Sequence, residues 1–234
     1  MLAVAALVAA CGGEERPPSD ATATGPSRPS APAPPRRAAP PRPGAPLLVA
    51  TLGDSITAGN PLHDPAREDG DNDPASQYQF WAARRLGPRV RFRNCGVGGE
   101  TTPEIALRLD ECARGADALI VQGGINDIAR GLPVDVAARN LRAMVRRGRE
   151  LGLRVAIVDL LPWNGGHPEA APLVNDLNRR IAVIAREERV PLIPFFAALE
   201  DPARPDRMRP EWTDDGDHPS VAGYRRMGAV VKVP

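Results

Sequence analysis

The sequence is poor in residues on which several chemistries depend. Only one lysine occurs, Lys232, close to the last residue, which excludes a phosphate-loop lysine and a Schiff-base lysine. No basic excess exists either. Lys and Arg number 30 against 29 Asp and Glu, a formal charge of +1, whereas a protein that tracks nucleic-acid phosphates carries a clear positive surplus. Aromatic residues are few, 3 Trp, 2 Tyr and 4 Phe, and all lie beyond residue 46, while 11 of the 27 prolines lie before residue 47. A segment with that much proline and no aromatic ring buries too little apolar surface to offset its ordering entropy, so residues 12–46 are expected to form a disordered tether. Residues 47–234 then make one domain, large enough for a substantial core. The first 46 residues hold Arg16, Arg28, Arg36, Arg37 and Arg42 against Glu14, Glu15 and Asp20, so they carry +2 and the domain −1.

The amino terminus reads MLAVAALVAA. This run is much shorter than the about 20 apolar residues that span a bilayer and has the form of the apolar part of a secretion signal. Cys11 follows Val8-Ala9-Ala10 directly. A small-residue run ending in cysteine resembles the lipobox of bacterial lipoproteins, although no Lys or Arg precedes the run. Residues 1–11 are therefore expected to be a signal peptide with a lipobox-like end, Cys11 the lipidated residue and the tether a spacer from a membrane. The alternative is an ordinary signal peptide and a secreted protein. Either way the domain is expected outside the cytoplasm, where Cys95 and Cys112 are free to pair. The competing reading of these two is a pair of small buried thiols.

Within the domain, Val-, Leu- and Ile-rich runs at 47–52, 90–94, 118–122, 154–159 and 191–195 alternate with helical spacing at 76–86, 103–113, 134–151, 172–188 and 220–231. Pro103 and Pro172 suit a first helical turn. Near-continuous apolar strands separated by helices indicate an α/β fold with a parallel sheet covered on both faces. Functional residues of such sheets gather in the loops at the carboxyl ends of the strands.

Four elements occupy those loops. Gly53-Asp54-Ser55-Ile56-Thr57 follows the first strand, Asn94-Cys95-Gly96-Val97-Gly98-Gly99-Glu100-Thr101-Thr102 the second and Gly123-Gly124-Ile125-Asn126-Asp127 the third, while Asp214-Asp215-Gly216-Asp217-His218-Pro219 precedes the last helix. Beyond the tether only three serines exist, Ser55, Ser76 and Ser220. Ser76 and Ser220 open helical patterns and read as N-caps. Ser55 either caps a helix beginning at Ile56 or is a nucleophile. Among the histidines, His63 and His167 lie in proline- and glycine-containing loops and read as solvated or pocket-lining. His218 has Asp215 three residues before it, a spacing that brings a carboxylate beside imidazole Nδ1 and leaves Nε2 as a base. Gly99 and Asn126 are suited to donate hydrogen bonds to an oxyanion, with the Ser55 amide as a third donor. The glycine pairs also serve simply as tight strand-to-helix turns.

Taken together and in order, G-D-S-I, G-G-E-T-T, G-x-N-D and D-x-x-H resemble the four signature blocks of the SGNH (GDSL) hydrolase family, from Leu48 to about Val231. The resemblance implies a flavodoxin-like three-layer α/β/α sandwich with a five-stranded parallel sheet of order 2-1-3-4-5. It also implies Ser55 as nucleophile, His218 as base, Asp215 as its orienting acid, and Ser55, Gly99 and Asn126 as the oxyanion hole. Asp54 would be a structural neighbour. The implied activity is hydrolysis of carboxylic esters, with no cofactor. Substrates covered by the family include short acyl esters, glycan O-acetyl esters, lysophospholipids and thioesters, and no amphipathic apolar insertion suggests the lid of a triglyceride lipase. A histidine base predicts loss of activity on acidification around roughly pH 6.5.

Ile125, Trp163 and Asn164 are expected to border the substrate, because the loops after the third and fourth strands adjoin the strand ends. Trp163 packs on an acyl chain or sugar ring, or plugs its loop onto the sheet. The acidic stretch Glu68-Asp69-Gly70-Asp71-Asn72-Asp73 lacks the spacing of an EF-hand and reads as a solvated insertion. Asp214, Asp215, Asp217 and His218 lie too close in sequence to enclose a metal without distant ligands. Gly96-Val97-Gly98 fails as a dinucleotide fingerprint, because Thr101 stands where the third glycine belongs. A binding module that kept the fold without the chemistry is the remaining alternative class. No self-association stripe is evident, and a monomer is the default.

Overall fold

The computed structural model describes residues 44–66, 72–165 and 170–233. Cys11, the signal-like segment, most of the proline-rich tether, Glu68 to Asp71 and His167 lie outside the described residues. The elements in chain order are β1 (Leu47–Gly53), α1 (Ser55–Ala58), α2 (Tyr78–Leu86), β2 (Val90–Gly96), α3 (Thr102–Leu107), α4 (Leu109–Cys112), β3 (Ala118–Val121) and α5 (Ile125–Ala129). They continue with α6 (Val134–Glu150), β4 (Arg154–Val158), α7 (Ala170–Glu188), β5 (Leu192–Ile193), α8 (Phe195–Leu199), β6 (Glu200–Asp201), β7 (Arg204–Met208) and α9 (Val221–Val230).

Strands β2-β1-β3-β4-β5 form one parallel sheet in that order, the expected architecture. Alternation along each strand divides its side chains between two cores. On β3, Leu119 and Val121 face one side with Leu52, Ile105, Leu141, Met144 and Leu177, the side covered by α3, α6 and α7. Ala118 and Ile120 face the other with Val49, Tyr78, Phe195 and Tyr224, the side of α2, α8 and α9. Register places Gly53, the last residue of β1, opposite Gly96, the last of β2. The turns leaving both strands therefore start at the same edge of the sheet.

Local departures from expectation have local causes. The fifth strand is only Leu192–Ile193, because Pro194 has no N–H for the ladder and Phe195 already begins α8. The helix expected over 103–113 is two, broken at Arg108 (φ −95°, ψ −2°). Ser76 is not an N-cap. It ends a 3-10 turn, its hydroxyl donates to Gly59 O at 2.8 Å, and Gln77 takes the cap position of α2. Ser220 does cap α9, accepting from the Gly223 amide at 3.3 Å.

Cys95 and Cys112 are joined in a disulfide, with Cα atoms 6.1 Å apart, so of the two readings the pair of free thiols is set aside. The bond ties the end of β2 to α4 across 17 residues. Closing a loop of that length restricts the unfolded chain, and reduction is expected to lower stability by about 2–4 kcal/mol. Urea midpoints with and without reductant measure this, and coincident midpoints would contradict it.

Candidate active site

The turn after β1 is built around Asp54. Its Oδ1 accepts the Ile56 amide at 3.0 Å, so Asp54, and not Ser55, caps α1. Ser55 becomes the first helical residue with its hydroxyl released, 6% exposed. Gln122, just past β3, supports the turn from the neighbouring strand: Oε1 accepts from the Asp54 amide (3.2 Å) and from Thr57 Oγ1 (2.7 Å). A Cβ on Gly53 would overlap that Gln122 oxygen, which explains glycine there. Burial pushes the Asp54 carboxyl up to about 6, with hydrogen bonds from Ile56 and Gln122 acting against it.

The second element is the turn before α9. Asp215 Oδ1 accepts the amides of Asp217 (2.8 Å) and His218 (2.6 Å), which winds the chain so that Asp215 Oδ2 meets His218 Nδ1 at 2.7 Å. A carboxylate there makes Nδ1 the protonated nitrogen. Nε2 is left to accept from Ser55 Oγ at 3.0 Å, across 163 residues of sequence. Partial burial raises the Asp215 carboxyl, but the hydrogen bonds from the His218 ring and from the His218 and Asp217 amides outweigh it and hold the group below its usual range.

The two remaining elements meet opposite Ser55. A Cβ on Gly98 would stand 3.2 Å from Asn60 Nδ2 and 3.9 Å from Ser55 Cβ, so the glycine turn lies against the turn that carries Ser55. Gly99 adopts φ +81°, a left-handed conformation that favours glycine. Asn126, in the first turn of α5, donates from Nδ2 to Glu100 O at 2.9 Å. A carboxamide has two N–H groups, and the second is oriented by the first. Asp127 locks the two loops together, accepting from the Thr102 amide (2.8 Å) and hydroxyl (2.6 Å). Glu104 accepts from the Thr101 amide at 2.7 Å. Gln122, Asp127 and Glu104 were not singled out from the sequence; only the G-x-N-D block hinted at Asp127.

Next to Ile56, the residue after Ser55, opens a small cavity of ≈20 Å³ lined by Ile56, Ile125, Leu160, Leu161, Pro162 and Trp163, with Gln122, Asp159 and Asp217. Ile125 and Trp163 both line this cavity, and the Trp163 indole donates to Asp217 Oδ1 at 2.6 Å. Asn164 does not line the cavity. Its carboxamide donates to Met208 O and accepts the Met208 amide, both at 2.6 Å, so it clamps its loop to β7. His63 Nδ1 is bonded to Ala58 O at 2.8 Å. Among the described residues no group of three or more His, Cys, Asp or Glu is arranged to hold a metal ion.

Asp159 lies at the inner wall of the cavity, where its Oδ1 accepts the Phe196 amide at 2.9 Å. Burial pushes its carboxyl up to about 6, against the hydrogen bonds from Phe196 and Phe195. A folded-state value raised above the unfolded 3.8 means that the folded chain holds the proton more tightly. The contribution to stability is therefore full below about pH 4 and is lost as the pH rises through about 6. Asp159→Asn retains an acceptor oxygen and is expected to stabilise the fold by about 1–2 kcal/mol at pH 7 and by nothing at pH 4. A variant whose urea midpoint differs equally from the parent's at both pH values would refute this.

A serine, a histidine and a carboxylate thus lie in line at the strand ends of a 2-1-3-4-5 sheet, on a three-layer α/β/α scaffold. Residues 51–226 match the GDSL-like Lipase/Acylhydrolase family, and the chain belongs to that family, a class of carboxylic ester hydrolases. It is 30% identical over 137 residues to an arylesterase of Vibrio mimicus, covering 57% of this chain and 64% of that protein. It is also 30% identical over 158 residues to esterase TesA of Pseudomonas aeruginosa, covering 64% of this chain and 74% of that one. Among solved structures, a GDSL-like lipase from Bacteroides thetaiotaomicron superimposes with a TM-score of 0.63 at 21% identity, over 78% of this chain and 84% of the other. An acetyl xylan esterase from Geobacillus stearothermophilus does so with 0.61 at 22% identity, over 80% and 93%.

Proposed function

We propose that this chain is an extracytoplasmic serine esterase that hydrolyses small carboxylic esters through Ser55, His218 and Asp215. The observation that carries the reading is the continuous line of hydrogen bonds from Ser55 Oγ to His218 Nε2 (3.0 Å) and from His218 Nδ1 to Asp215 Oδ2 (2.7 Å). Ser55 Oγ attacks the ester carbonyl carbon while its proton passes to His218 Nε2. Asp215 keeps the ring in the correct tautomer and stabilises the imidazolium. Negative charge on the former carbonyl oxygen is met by the amides of Ser55 and Gly99 and by Asn126 Nδ2. Collapse of the tetrahedral intermediate expels the alcohol, protonated by His218. Water then gives a proton to His218 as it attacks the acyl-serine, and the second tetrahedral intermediate collapses as His218 returns that proton to Ser55 Oγ, releasing the carboxylic acid and the free serine.

The apolar wall of Ile56, Ile125, Leu160 and Leu161 supports a short acyl group in the cavity. A second reading, removal of O-acetyl groups from cell-wall or other glycans, is favoured by the Trp163 ring at the cavity wall, since an indole face suits a sugar ring, and by the likeness in fold to an acetyl xylan esterase. Lysophospholipids and thioesters are further members of the same substrate range. The extracytoplasmic address is supported by the Cys95–Cys112 disulfide, as expected of an oxidising compartment, and by the signal-like residues 1–11 with Cys11 as lipid attachment point.

Two measurements test the proposal. A fluorophosphonate should add once, on the peptide carrying Ser55, and abolish hydrolysis of p-nitrophenyl acetate; hydrolysis that survives without labelling of Ser55 would overturn the assignment. Rates on acetyl, octanoyl and palmitoyl p-nitrophenyl esters, lysophospholipid and acetylated xylan should favour the acetyl substrates, and a preference for palmitoyl ester or lysophospholipid would exclude the short-acyl reading.

A further inference from the structure

We infer that Arg108 is a positioning residue for the oxyanion hole, an assignment that rests on the roles of Gly99 and Asn126 proposed above. Its guanidinium, in a side chain only 26% exposed, sits where the ends of β1 and β2 and the glycine turn converge. Nε and Nη2 donate to the Glu100 carboxylate, Nε at 3.0 Å to each oxygen and Nη2 at 2.5 Å to Oε2. Nη1 donates to Cys95 O at 2.8 Å, and Nη2 to Gly53 O at 3.2 Å. Each of these contacts leads to the reacting groups. Gly53 is two residues before Ser55, and Glu100 directly follows Gly99. The carbonyl of Glu100 is the acceptor that orients the Asn126 carboxamide.

One planar cation thus sets the distance between the nucleophile turn and two of its three oxyanion donors. Only a guanidinium reaches all of these acceptors at once, because its five N–H groups are fixed in a plane, whereas an ammonium offers three donors from one point. Arg108 stands at the junction of α3 and α4, its amide donating to Ile105 O at 3.2 Å and its carbonyl accepting the Cys112 amide at 2.9 Å, so the backbone that carries the guanidinium is itself held in place. Without the cation, the mostly buried Glu100 carboxylate, 18% exposed, has lost its charge partner and is drawn toward water, and the turn moves with it. Gly99 and Asn126 then stand away from the oxygen that they stabilise only in the transition state.

A displacement of about 1 Å at a reacting centre costs on the order of 100-fold in rate, and loss of one oxyanion donor about 100- to 1,000-fold. Arg108→Met is therefore expected to lower kcat by about 30- to 100-fold while KM stays within about threefold. The acid limb of the pH–rate profile should not move, since Arg108 does not touch His218. Added guanidinium ion should restore part of kcat and ammonium should not, a response that a merely structural arginine would not give. Glu100→Gln leaves the bonds to Gly53 and Cys95 in place and is expected to lower kcat about tenfold with an unchanged melting temperature; it decides the matter should Arg108→Met fail to fold. Arg108→Met with unaltered kcat, or Glu100→Gln with unaltered kcat, overturns the inference. So does a loss in Arg108→Met that tracks its melting temperature and is not rescued by guanidinium. Ser55→Ala measured alongside separates the two readings. Turnover retained there defeats the esterase mechanism itself, whereas turnover lost there with Arg108 variants at parental kcat defeats only the role of Arg108.

Discussion

Ser55→Ala is expected to lower kcat by about 10⁴-fold or more while leaving the fold intact. Among the described residues the hydroxyl hydrogen-bonds to His218 Nε2 at 3.0 Å, and the turn itself is held by other groups. The cap of α1 is supplied by Asp54, and the turn is held from β3 by Gln122. Alanine suits a first helical turn and removes only the oxygen that would carry the acyl group. Water attacking directly would still meet the amides of residue 55 and Gly99 and the carboxamide of Asn126, so residual turnover above the uncatalysed rate is expected rather than none. Steady-state kinetics on p-nitrophenyl acetate, with the melting temperature as a check on folding, measure the effect. A variant that keeps more than about a tenth of the parental kcat would mean that Ser55 is not the nucleophile.

Gly96→Ala should abolish the native fold or cost more than about 4 kcal/mol. Gly96 ends β2 directly opposite Gly53, where α1 lies across the strand ends. A Cβ built there would overlap the backbone nitrogen of Ala58 and stand 2.5 Å from both Ala58 Cα and the Thr57 carbonyl carbon. Backbone held in a sheet and a capped helix cannot yield as a flexible side chain does. The requirement is one of space, and Gly115 provides the contrast: it has φ +70° and nothing within 4 Å of an added Cβ. Gly115→Ala meets only the left-handed backbone penalty, about 1 kcal/mol. Urea unfolding of both variants distinguishes the two causes, and equal small losses would refute the packing argument.

Much of the scaffold is legible in the sequence, for definite reasons. Strands buried on both faces read as apolar runs, and Leu119 to Val121 or Val155 to Val158 are hardly interpretable otherwise. Where polar or special residues interrupt that pattern the reading slipped. Pro194 shortened β5, Ser76 served a neighbouring loop instead of a helix, and Asp54 took the capping role offered to Ser55. For Pro194 and Asp54 the deciding interaction is local, a missing N–H and a cap bond to Ile56, whereas for Ser76 it is a contact with Gly59, 17 residues away. Asn164 follows β4 close to the cavity-lining Trp163, but the backbone of Met208, 44 residues away, engages both ends of its carboxamide.

By itself, the sequence determined the order of strands and helices and the kinds of side chain at the strand ends, because hydrophobic periodicity, glycine at tight turns and a carboxylate three residues before an imidazole act over a few residues. Only the tertiary structure decided which of those side chains meet. The 3.0 Å contact between Ser55 and His218 spans 163 residues, and Gln122 supports the turn that carries Ser55 from 68 residues away. Arg108 binds the carbonyl of Gly53 across 55 residues of sequence. No local preference encodes such distances. They follow from the parallel register that puts Gly53 beside Gly96 and from the two buried cores that hold the helices in place on either side.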